Sequence, residues 1–260
     1  MDMLFGAFVL VFGAVIGSFL NAVVWRLRTG QSFVRGRSAC PHCGHGLGPG
    51  DLVPLLSFAF LRGRCRYCHG RISWQYPAAE AAVAAAFLAA AWRLAPPDGA
   101  WTTATLSGLL FAWGVIAVMT VVFIYDLKYM LILRSVTWPA AVLAVLANLA
   151  LGMDWRTLAI GCIVGYGFFW LQFRFSDGRW IGGGDLDLGL LMGAILGWQK
   201  LLVAFWFAYV IGALYAVVTL AAGRRRWHSQ IPFGTFLAVG TLVALLFGSD
   251  LIRRYFGFGL

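Results

Sequence analysis

Residues 101–126 read WTTATLSGLLFAWGVIAVMTVVFIYD, an unbroken uncharged run closed by Asp126. A helix needs about 20 apolar residues to cross the roughly 30 Å of hydrocarbon in a bilayer, so this run predicts a membrane span with an ionisable group at its end. Similar runs recur on both sides. They predict spans at about 3–25, 77–95, 101–125, 136–152, 157–174, 185–198, 201–222 and 231–249, the sixth being short. Backbone polar groups within lipid need internal partners, and the chain shows no alternating ten-residue pattern of the kind a barrel requires. The predicted fold is therefore all-α, a polytopic membrane bundle of about eight transmembrane helices, in keeping with 61% hydrophobic residues and a mean hydropathy of +0.82. The first run is longer than a secretory h-region and lacks a basic n-region or an A-x-A site, so it is expected to stay as the first span.

Basic residues set the expected orientation. With the N-terminus outside, fifteen of the twenty Lys and Arg fall in inner loops, among them Arg26, Arg35, Arg134, Arg179, Arg224, Arg225 and Arg226. Asp2 and Asp98 then lie near outer ends. The net charge of +10 is explained by topology and by anionic lipid head groups as its counter-charge; no nucleic acid is needed. The predicted organisation is a first transmembrane helix over 1–25, a cytoplasmic loop domain over 26–76 and a transmembrane domain over 77–260.

The loop carries CPHCG and CRYCH. Cys40, Cys43, Cys65 and Cys68 form two C-x-x-C pairs with 21 residues between them. Each pair supplies two thiolates to one tetrahedral ion, and zinc is the first candidate. Eight arginines place the loop in the reducing cytoplasm, which disfavours disulfides, and a redox role would need only one pair. His42, His45 and His69 are alternative ligands or plain loop residues. Cys162, within the fifth span, reads as a small core residue.

A second carboxylate, Asp185, follows Gly182, Gly183 and Gly184 and starts the sixth span. In the expected orientation Asp126 and Asp185 lie at one membrane face, the inner one. An ionisable residue at a membrane helix end is a functional candidate, and two carboxylates held close cannot both ionise, so they divide acid and base roles. The plainer alternatives are a helix N-terminal carboxylate for Asp185 and also for Asp187, and a solvated interfacial residue for Asp126. The three glycines admit an extended substrate or a neighbouring helix close to the backbone, or simply form a loop. Glu80, in QYPAAEAAVAAAF, reads first as capping chemistry after Pro77.

Six segments in order resemble the prepilin peptidases, or type IV leader peptidases: GAVIGSFLNAVVWRL, the cysteine pairs flanking DLVPLLSF, LRGRCRYCHGRISWQYPAAE, the YDLK around Asp126, the GGGD ending at Asp185, and IPFGTFLAVG. The resemblance implies an aspartyl protease with Asp126 and Asp185 as its catalytic residues. Its substrates would be type IV pilin-like or pseudopilin precursors, cut at a glycine between a basic leader and an apolar helix. The cysteine loop is similar to that of the bifunctional form, which also methylates the new N-terminus with S-adenosylmethionine. Gly17, Asn21, Phe233 and Gly234 match family segments and read as helix-packing positions.

The chain departs from that pattern twice. Members commonly show Pro-Asp where this chain has Leu133 and Arg134, and often lysine where it has Asp187. A cation in place of a carboxylate near Asp126 works against an acid role there. It favours an alternative in which the chain is a proteolytically inactive, metal-stabilised membrane assembly factor.

Overall fold

A computed structural model describes residues 3–32, 36–96, 99–223 and 231–256. The expectations placed on Asp2, Arg35, Asp98, Arg224, Arg225 and Arg226 lie outside the described residues. Among these residues there is no strand, only isolated bridges at Ala39/Gly46 and Arg64/Arg71. The helices are α1 (Met3–Thr29), α2 (Leu56–Phe60), α3 (Gln75–Leu94), α4 (Thr103–Tyr129), α5 (Arg134–Ala150), α6 (Trp155–Ser176), α7 (Gly183–Ala221) and α8 (Phe233–Phe256). Six of them are long and apolar enough to cross a membrane, and α5 is a shorter apolar helix. This is a multi-pass membrane protein. The chain divides into two compact units, Met1–Thr105 and Leu106–Leu260.

In the first unit α1 and α3 pack antiparallel. Apolar area gains nothing by leaving lipid for another apolar surface, so membrane helices associate where small residues let backbones approach. Gly13 and Gly17, one turn apart on α1, meet the alanine-rich face of α3. A Cβ on Gly13 would stand 2.7 Å from the Ala84 Cα, and one on Gly17 would stand 2.8 Å from the Glu80 Cα. Phe8, Val11, Val15 and Phe19 of α1 are exposed, as a lipid-facing side requires. Asn21 adds a polar tie: its Nδ2 donates to the Tyr76 carbonyl at 3.3 Å, and its Oδ1 accepts from Gln75 Nε2 at 3.3 Å.

The second unit is built around α7, which packs on α5, α6 and α8. The run Gly183–Ala221 covers two of the expected spans, and Gly197 separates them with φ 67° and ψ 175°. The chain reverses there. On α6, Gly165 touches the Gly189 carbonyl of the first half and also lies against Leu201 of the second half, while Phe169 meets Phe205 edge-to-face, farther along that second half. With α5 and the two halves of α7 counted separately, the described residues hold eight apolar helical segments, matching the runs expected as spans. A non-glycine residue at positive φ would be strained, and a Cβ on Gly197 would meet Thr157 Cγ2 at 2.6 Å.

The two halves bury differently. From Asp185 to Gly197 nearly every residue of the first half is buried, whereas the second half buries the stripe Leu201, Ala204, Phe205 and Ala208 and exposes Leu202, Trp206, Val210 and Leu214. Gly161 and Gly165 on α6 oppose Gly189 and Gly193 on α7, and in each case an added Cβ would run into the partner's backbone. This small-xxx-small pairing lets α6 and the first half of α7 touch along their axes.

Breaking the helix at Gly197 interrupts the hydrogen-bond ladder and leaves the last carbonyls of the first half short of partners. Asn148 of α5, buried, meets that need: its Nδ2 donates to Ala194 O at 2.8 Å and to Ile195 O at 3.0 Å. Replacing Asn148 with Leu should lower stability by about 1–2 kcal/mol, the upper part of the range for polar ties between membrane helices. A fall in the detergent unfolding temperature of the purified protein checks this, and an unchanged temperature would refute the capping role.

Candidate active site

Asp126 lies in the last turn of α4 and is buried. The helix stops just beyond it because Met130 turns left-handed at φ 51°, its N–H donating to the Asp126 carbonyl at 2.8 Å, the αL form of helix termination. The carboxylate is held by another helix end. Thr235 N, in the first turn of α8, donates to Asp126 Oδ2 at 2.9 Å. First-turn N–H groups have no intrahelical partner and sit at the positive end of the dipole, so they take up an anion readily. Gly234 makes the approach possible, since a Cβ there would lie 2.9 Å from Asp126 Oδ2. Gly234 is therefore a contact to the carboxylate, not only the packing position expected from the sequence. Thr235 Oγ1 donates to Pro232 O at 2.7 Å and fixes the turn.

Asp185 is at the third position of α7 and is buried. Its Oδ2 accepts from Gly182 N at 3.1 Å, the return half of a capping box. The plain capping role is thus real, and one side chain links its helix start to the Asp126 site. Ile132 stands between the two positions. A Cβ on Gly184 would be 2.8 Å from Ile132 Cβ, and one on Gly234 would be 2.9 Å from Ile132 Cδ1. Of the three glycines before Asp185, Gly184 is the one that a neighbour presses against, while Gly183 faces open space. The Tyr209 hydroxyl, on the second half of α7, donates to Gln172 Oε1 at 3.1 Å.

Arg134 does not act on Asp126 as the sequence suggested. Its Nε donates to Asp187 Oδ2 at 2.9 Å and its Nη2 to Asp187 Oδ1 at 3.3 Å, while Trp138 Nε1 donates to the same Oδ1 at 3.0 Å. The two departures from the family pattern are bonded to each other. Asp187 is buried and accepts from these two side chains.

In the first unit, Cys40, Cys43, Cys65 and Cys68 gather with their sulfurs within 4.8 Å of one another, and none is disulfide-bonded. A zinc tetrahedron with bonds of about 2.3 Å sets sulfurs about 3.8 Å apart; Cys40 and Cys68 are at 3.9 Å. The two knuckles share one design. Cys40 N donates to His45 O and Gly44 N to Cys40 O, as Cys65 N does to Gly70 O and His69 N to Cys65 O. Gly44 and His69 occupy the same left-handed position. The histidines are not among the gathered ligands; His45 instead stacks on Tyr67 with centroids 3.6 Å apart. Burial opposes charge on Cys40, but the N–H groups of Cys43 and His42 and the adjacent sulfurs bring it down to about 7. The Gly70 N–H favours a thiolate at Cys68, yet burial and three neighbouring sulfurs push it up to about 11. Such a set of crowded, mutually repelling thiolates is suited to a dication.

Asp51 ties the segment between the knuckles to the second one through Arg66 at 2.6 Å, and that hydrogen bond holds its carboxyl below the usual carboxylate range. Glu80 does not cap its own helix. It is buried and accepts from Leu55 N at 2.8 Å, pinning a loop residue whose φ is 60°.

The chain is similar to known proteins along most of its length. Residues 11–94 match the Bacterial Peptidase A24 N-terminal domain, and residues 113–217 match the type IV leader peptidase family. A protein of Bacillus subtilis (strain 168) is 33% identical over 94% of this chain and 95% of its own length. One of Burkholderia pseudomallei (strain 1026b) is 36% identical over 94% and 85%, and one of Aeromonas hydrophila is 33% identical over 97% and 94%. All three are named prepilin leader peptidase/N-methyltransferase. No solved structure matches. Matched along both parts of its length, the chain belongs to the type IV leader peptidase family.

Proposed function

We propose that the chain is a membrane aspartyl endopeptidase that removes the leader from type IV pilin-like or pseudopilin precursors and then methylates the new N-terminal amine. Asp126 and Asp185 are the catalytic pair. The reading is carried by the pair itself: two buried carboxylates from different helix ends, each hydrogen-bonded to a backbone N–H at a helix start, with Ile132 packed against the glycine beside each of those sites, Gly184 and Gly234. One carboxylate, ionised, accepts a proton from a water molecule as its oxygen attacks the scissile carbonyl. The other, protonated, donates a hydrogen bond to that carbonyl and then its proton to the leaving amine. Two peptides result, with no covalent intermediate, and the pair titrates as a unit. With basic residues on the cytoplasmic side of the inner membrane, the site faces the junction between a precursor's basic leader and its apolar helix.

The four cysteines hold zinc in this reading, as a cross-link for a loop too small to build its own core. S-adenosylmethionine is the methyl donor implied by the resemblance. The inactive alternative loses the feature that favoured it, because Arg134 is engaged with Asp187.

The test is to incubate the purified full chain in vesicles with a pilin-like precursor and a labelled methyl donor. A shortened product carrying label at its new N-terminus is expected; an uncut precursor would refute the peptidase, and an unlabelled product would refute the methyltransferase. Within the same assay Gly234→Ala should cut the cleavage rate about 10- to 100-fold, because the added methyl displaces Asp126 from Thr235 N and misplacement on the ångström scale costs that much. Wild-type turnover by that variant would count against the placement of Asp126.

A further inference from the structure

We propose that Arg134 and Asp187 form a positioning clasp that sets the first turn of α7, and with it Asp185, against Asp126; this rests on the catalytic pair proposed above. Helix first turns fray because their N–H groups lack partners, and Asp185 sits in one. The connection after α4 and the first residue of α5 grip that turn at two points. Ile132 presses on Gly184, immediately before Asp185, and Arg134 binds Asp187, two residues after it. Asp185 is framed between them.

The clasp is built for geometry. The guanidinium meets both Asp187 oxygens, a fork whose planar match fixes orientation as well as distance. Asp187 is buried, its side chain 4% exposed, whereas the Arg134 side chain is 73% exposed. Trp138, one turn along α5, donates to the same carboxylate, with the Arg134 guanidinium 6.0 Å from its ring centroid. An ion pair with one partner this exposed contributes little to stability, so its effect should appear in turnover. The same connection leads directly from Asp126 to Arg134, so one short segment links both carboxylates.

The experiment measures kcat and KM for precursor cleavage, with unfolding temperature alongside, for the full chain in vesicles carrying Arg134→Gln, Arg134→Lys, Asp187→Asn or the exchange Arg134→Asp with Asp187→Arg. The expected result is a kcat lowered about 10- to 100-fold by Arg134→Gln and by Asp187→Asn with KM within about twofold. Arg134→Lys should fall between, because it keeps the charge and loses the fork, and the exchange should regain at least about tenfold over either single change. Unchanged kcat in Arg134→Gln, an effect on KM alone, or a loss in Arg134→Lys equal to that in Arg134→Gln would overturn the clasp. Should Asp187→Asn fail to fold, the two Arg134 variants decide alone, since that side chain is largely exposed. Asp126→Asn and Asp185→Asn run beside them. If these still cleave, the catalytic pair itself is wrong; if they do not and the Arg134 variants keep wild-type kcat, only the clasp is.

Discussion

Asp126→Asn and Asp185→Asn are each expected to lower precursor cleavage by about 10²–10⁴-fold, the range that acid–base groups supply, while the protein stays folded. Asparagine keeps the shape and the hydrogen bond from Thr235 N or Gly182 N but cannot exchange a proton. The double variant should be scarcely worse than either single one, because groups that act as a unit fail together. Product masses from a timed digestion provide the measurement, and substantial turnover in either single variant would remove the catalytic assignment. Asp187→Asn separates the roles: it keeps both proton-exchanging groups and disturbs only their positioning, so its loss should be the smaller one, about 10- to 100-fold.

Removing metal from the cysteine cluster should have the second large effect. Structural zinc contributes an apparent 10–16 kcal/mol, roughly, to the folding of small metal-bound units, and the segment from Ala39 to Arg71 has no buried apolar side chain of its own among the described residues beyond Cys40 and Cys65. Chelation, or Cys65→Ser, is therefore expected to unfold the knuckles, seen as rapid amide exchange from Cys40 to Arg71 and as loss of one bound metal per chain by mass spectrometry. Cys162→Ser should change neither. The pH dependence has a definite sign. Binding needs thiolates and displaces protons, so affinity falls as pH is lowered below about 11, where Cys68 takes up its proton, and falls more steeply below about 7, where Cys40 does so too. Protein purified under reducing conditions without bound metal would overturn the site.

Much of the fold is visible in the residues because hydropathy and helix length are local. Residues 101–125 carry no charge and form α4, and 77–95 form α3, each within a few residues. The two C-x-x-C pairs are equally plain, since metal-ligand spacing is fixed by the reach of a tight turn. The glycine ladder of α6 and α7 was also open to inspection, as GCIVG and GLLMGAILG have the four-residue spacing of close helix contact. Spacing alone does not name the partner helix. Gly234 is a harder case, because nothing in IPFG reveals that an aspartate 108 positions earlier will fill the space its missing side chain leaves.

Read alone, the residues determine that this chain crosses a membrane repeatedly, that Asp126 and Asp185 stand at helix ends, and that four thiols can meet one ion. These depend on apolar run length and on spacing, which a sequence carries in full. Only the folded arrangement decides that Asp126 rests on the α8 N-terminus, that the reversal between the two expected spans falls at Gly197 with Asn148 on its last carbonyls, and that Arg134 answers Asp187. In lipid every span is apolar on all sides, so hydropathy does not mark which face meets which helix. The first half of α7, buried all round, and its second half, open on one side, look alike in composition. The choice falls to small residues, helix-end N–H groups and a few buried polar side chains, whose partners are distant in the chain and are set by packing.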